Sequence, residues 1–194
     1  VIDLRLITPP ATEPVSLAEA KLHCRVDHDV EDAIIAALVT AARMYVEETT
    51  GRALLTQTWE AMLDAWPALL YLPHPPAASV VSVTAVDVDG NSTVLPATAY
   101  ALRTGMTPGY VVFYSEQRPA VLLARQAGIR VRYVAGYGDV VDVPRPLCQA
   151  ILLLVGHWYA NREAAGPGNV GPLPFAVEAL LAPYAVHWYG GWVR

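Results

Sequence analysis

The chain has 194 residues, enough for one elaborated domain or two small ones, with 54% hydrophobic and only 16% charged residues. Its net charge of −5 and isoelectric point near 5.5 exclude a strongly basic grip on DNA or on anionic lipid. A mean hydropathy of +0.33 points to apolar surface held in oligomer interfaces, beside the plainer reading of an Ala- and Val-rich chain with a large core.

The start, Val1-Ile-Asp-Leu-Arg5, carries no basic region followed by an apolar one, so no secretory leader is expected, and the missing initiator methionine suggests a trimmed terminus. Val1 to Pro14 reads as an irregular arm that ends Pro-rich. Ser16 then opens a helix, with Glu19 completing a capping box, and the acidic turn Asp27-His28-Asp29 closes it. A stronger helix is predicted over 30–50. Ile34, Ile35, Leu38, Val39, Ala42, Tyr45 and Val46 give it a broad apolar stripe, Glu31 and Asp32 favour its N-terminal dipole, and Gly51 stops it.

From Leu54 the period changes to two. Strands are predicted over 56–63, 69–72, 79–87, 92–95, 100–103, 110–114 and 129–134, with a hairpin turn at Asp89-Gly90-Asn91. Together they read as an antiparallel β module set between helices.

Val143 to Glu163 reads as one helix with Pro144 and Pro146 at its entry, where a missing N–H removes no hydrogen bond. Leu147, Ile151, Leu154 and Trp158 form one stripe; Cys148, Leu152, Val155 and Tyr159 form a second beside it. A helix with so little polar face lies at the centre of its domain, under another subunit, or partly both. Residues 164–174 are Gly- and Pro-rich and predicted mobile, 175–184 predict a last helix, and Pro183 precedes a tail. In that tail Trp188, Tyr189 and Trp192 stand beside Gly190 and Gly191, in the manner of aromatic interface anchors, or fold back on their own domain. The apolar run of the long helix is too short for the roughly 20 residues of a membrane span.

The catalytic inventory is poor. Gly136-Tyr137-Gly138 is half a dinucleotide fingerprint without its third glycine, and the one lysine, Lys21, has no phosphate-binding loop around it. Cys24 and His28 share a helical spacing but lack further ligands, and both cysteines read as reduced, packed thiols. Asp27, Asp29, Glu31 and Asp32 match no calcium loop and read as solvated acids at a helix start. No cofactor or metal is expected. Two other function classes stay in view: a small-ligand or carbohydrate-binding β module with Tyr100, Tyr110, Phe113 and Tyr114 as platform, and a hydrolase drawing on the Asp27–Asp32 turn.

Several segments in order carry a resemblance: residues 14–27, 31–38 with Ala41-Ala42-Arg43, 46–59, 131–138, 144–163 and 173–184. In these the chain resembles the head–tail connector (adaptor) proteins of tailed bacteriophages and of gene transfer agents. The resemblance implies an α+β fold: one connector subunit over 1–194, with a helical core (15–52 and 143–184), a β insertion (53–138) and a C-terminal tail (185–194). It implies a non-enzymatic neck protein made in the host cytoplasm, forming a twelve-fold homo-oligomeric ring between portal protein and stopper or tail-completion protein. On this reading Leu147, Ile151, Leu154, Trp158, Leu152, Val155 and Tyr159 serve the core or the subunit interface. Trp188, Tyr189, Trp192 and Arg194 dock on the portal. Asp27, Asp29, Glu31 and Asp32 face solvent or the lumen, so that DNA passes without specific binding. No membrane contact is implied.

Overall fold

The computed structural model describes residues 2–161 and 175–186, and these form an α+β fold of four α-helices and two antiparallel sheets. They divide into two compact units. One is built from Ala11–Leu55 and Gly138–Ala185, the other from residues 2–10 and 56–137.

In the helical unit, α1 (Leu17–Cys24) begins at the expected capping box. The Glu19 amide donates to Ser16 Oγ at 3.2 Å, and Glu19 Oε2 accepts from the Ser16 amide at 2.9 Å. Two otherwise orphan donors are thus satisfied, and these bonds hold the Glu19 carboxyl below its usual range. Arg25, at φ 58°, ends the helix in the left-handed region. Helix α2 (Asp32–Thr50) stops where expected, at Gly51 with φ 68°. It buries Ile35, Val39, Ala42 and Val46, the i, i+4, i+7, i+11 edge of the predicted stripe, while Ile34 on the same stripe is 48% exposed. Helix α3 (Arg145–Ala160) starts from Pro144 with Pro146 in its first turn, and α4 (Phe175–Leu181) runs into a short 3-10 turn containing Pro183. Helix α3 packs against α1, α2 and α4. Each fully buried Leu or Ile of this core contributes about 1.5–3 kcal/mol.

The β unit holds a five-stranded sheet of order β1-β2-β8-β4-β5 and a three-stranded sheet of order β3-β7-β6. The strands are β1 (Ile2–Thr8), β2 (Gln57–Leu63), β3 (Leu69–Tyr71), β4 (Ala77–Val86), β5 (Ser92–Val94), β6 (Tyr100–Arg103), β7 (Tyr110–Phe113) and β8 (Ile129–Ala135). β1 corrects the expectation of an irregular arm. Its residues pair in antiparallel register with β2, from Ile2 opposite Leu63 to Leu6 opposite Trp59. The partner lies some fifty residues away in sequence and most of the strand is exposed, so it lacks the one-sided burial that marks a strand locally. Central β8 turns Ile129, Val131, Tyr133 and Ala135 into the core and Arg130 outward. Tyr133 is fully buried and its hydroxyl donates to the Pro73 carbonyl at 2.9 Å. Burial pushes that phenol well above its ordinary pKa.

Candidate functional site

Among the described residues no group of three His, Cys, Asp or Glu side chains could hold a metal ion, and no helix is long and apolar enough to cross a membrane. The two glycines of the half-fingerprint serve the backbone: Gly136 and Gly138 have φ of 118° and 117°. Asp139 and Asp142 then close a reciprocal cap on the turn that follows Gly138.

The stripes on α3 are largely consumed by the chain itself. Leu147, Ile151 and Leu154 are fully buried, as is Val155 on the second stripe, and Cys148 is buried beside it. Leu152 is half-buried. Trp158 is half-buried with its ring edge-on to Tyr45 of α2 at 6.3 Å, and the Tyr159 hydroxyl donates to Glu31. Helices α1, α2 and α4 wrap α3 on several sides, which periodicity along one helix does not reveal, while Leu152, Trp158 and Tyr159 stay half-buried. Burial also raises the Cys148 thiol above its ordinary pKa, so it stays a neutral packed group.

The four acids part company. Asp27 and Asp29 are exposed, Glu31 and Asp32 half-buried. Lys21 reaches across from α1 to Asp29 at 2.6 Å and Asp32 at 2.7 Å. The bond to Lys21 lowers the Asp29 pKa, and the bonds to Asp29 and Asp32 raise that of Lys21. Glu31 receives Tyr159. The turn is therefore braced rather than a loose row of free carboxylates, and only a structure shows that the sole lysine stands close enough to do it. Among the described residues Cys24 and His28 acquire no third ligand.

A second cluster escaped sequence reasoning. Arg43, on the stripe's flank, is buried between Glu13 (2.7 Å) and Glu47 (2.6 Å). Glu13 also accepts from Thr40 Oγ1 at 2.8 Å, and Glu47 Oε1 accepts from the Leu54 amide at 2.9 Å. Desolvation works to lower the Arg43 pKa, but the Glu13 hydrogen bond and the Glu47 charge outweigh it and hold the guanidinium charged. The cluster fastens the segment before α1 and the one after α2 onto α2. Its sequence trace is the one arginine in α2, set beside the buried apolar stripe.

The aromatic platform does not assemble. Tyr100 faces Phe113 across β6 and β7, but Tyr110 lies three residues from Phe113 and so on the other side of the strand, beside Tyr71 at 5.6 Å. Phe113 is buried against Trp66. An open cleft of about 510 Å³ at the end of this hairpin is lined by Leu102, Arg103, Thr104, Gly105, Met106 and Tyr110, with one aromatic among them. The tail residues Trp188, Tyr189, Trp192 and Arg194, and the Gly- and Pro-rich segment 164–174, lie outside the described residues.

The chain's likeness to known proteins bears on its role. Residues 14–87 match the family model described as "Phage gp6-like head-tail connector protein". The whole chain is similar to a chain from the neck of an empty gene transfer agent particle computed with sixfold symmetry, at 27% identity and a TM-score of 0.81, covering 97% of this chain and 98% of that one. The chain is thus similar to head–tail connector proteins, in sequence over residues 14–87 and in fold over nearly its whole length. Chains from the virion of a native gene transfer agent particle and from a native neck computed with twelvefold symmetry match at 25% identity, with TM-scores of 0.78 and 0.74 and the same coverage. No curated protein matches the sequence. This connector family is structural rather than enzymatic, in keeping with a surface whose charged clusters brace the fold.

Proposed function

We propose that the chain is a structural connector subunit in the neck of a phage or phage-like particle, forming a ring of twelve beneath the portal. The ring joins the DNA-filled head to the stopper or tail and continues the DNA channel. The observation that carries this reading is the likeness over 97% of the chain to a neck protein, rather than over one shared motif. Necks computed with sixfold and twelvefold symmetry support a cyclic arrangement, and the net charge of −5 suits a channel through which DNA must slide. On this reading Asp27 and Asp29, both exposed, face solvent or the lumen, Asp29 while paired with Lys21. The tail aromatics Trp188, Tyr189 and Trp192, with Arg194, are the portal-docking residues of this reading, and half-buried Leu152, Trp158 and Tyr159 are the members of the α3 stripes with surface left to offer a neighbour.

Two measurements test it. A chain truncated after Tyr184 should fold and co-sediment with portals more weakly than the full chain; normal attachment would remove the tail from the account. Purified assemblies titrated with duplex DNA at low salt should bind weakly, and tight salt-sensitive binding would contradict the channel role.

A further inference from the structure

Helix α2 carries two apolar stripes, and the described chain covers one. Opposite the buried Ile35, Val39, Ala42 and Val46, the residues Ile34, Ala37, Ala41 and Met44 recur at spacings of three, four and three, and all four are exposed, Met44 at 58%. That spacing is the seam of a helix meeting another apolar element lengthwise. Its two alanines let a neighbouring backbone come close, and it runs for about 15 Å. The face is also free of charge. From Ala33 to Met44 the one charged residue is Arg43, which is turned in upon Glu13 and Glu47; the acids Asp32, Glu47 and Glu48 stand before and after the seam.

We propose that this face of α2 is where one copy of the chain meets the next, a second copy being its occupant; the inference rests on the ring reading above. Copies that each carry a net charge of −5 repel, so contact is least opposed where acids are absent, as along this uncharged seam. A closed ring also demands one such face on every copy, answered by a different face on its neighbour. A portal or stopper, bound at one end of a ring, imposes no such requirement.

The test uses the full chain with Ala41→Arg or Met44→Glu, both at exposed positions. The variants should keep the wild-type circular dichroism and melting temperature while the concentration needed for ring assembly rises about tenfold or more. In parallel, a photo-crosslinker at Ala37 in assembled necks should capture another copy of this chain. Wild-type rings with unaffected variants, or a crosslink to portal or stopper, would overturn the α2 assignment alone. Wild-type chains that never assemble would overturn the ring reading, and this inference with it.

Discussion

Arg43 is the residue on which most polar order in the helical unit turns. Replacing it by Ala strands Glu13 and Glu47 in half-buried positions, and the expected loss is about 2–3 kcal/mol, read from denaturant midpoints at constant m-value. Arg43→Lys should recover only part of this, since an ammonium cannot reproduce the planar fork that reaches both carboxylates. His74 offers a different test in the β unit. It stacks on Trp59 at 4.2 Å, and burial lowers its pKa below the ordinary 6.5. The folded state thus prefers the neutral ring, so this contribution is complete above pH 6.5 and fades as the pH falls below it. A His74→Phe variant should lose less stability than wild type between pH 6.5 and pH 5; parallel curves would show that His74 takes up its proton as readily folded as unfolded and would contradict the burial argument.

Among the elements, α1 is the α-helix of the described residues with a full reciprocal cap, and Ser16→Ala should cost about 1 kcal/mol, seen as faster amide exchange in its first turn. Such local grammar was legible: the Ser16–Glu19 box, the stop at Gly51 and the period-two segments all lie where the residues put them. β1 was not, because its hydrogen bonds come from β2 and its side chains stay mostly exposed. The α3 stripes were legible as apolar but not as to what covers them, since Trp158 finds Tyr45 and Tyr159 finds Glu31 only once two distant helices pack. The exposed α2 stripe hid for the converse reason. Ile34 and Ile35 are neighbours in sequence and look alike, yet a rotation of about 100° separates the buried one from the open one.

At the scale of the whole molecule, 54% hydrophobic residues are not all spent inside one copy: Leu22 is 80% exposed and Val30 89%, in the same α1–α2 region as the open seam. Isolated apolar side chains on a surface need no explanation, whereas an uncharged seam along a helix does. On the proposed ring reading, assembly is the task this fold serves. The most direct check is the mass of the particle that the purified chain forms on portals. Twelve copies of a 20.9 kDa chain should add about 250 kDa as one discrete species. A chain that remains at its monomer mass, in the presence of intact portals and at high concentration, would contradict it.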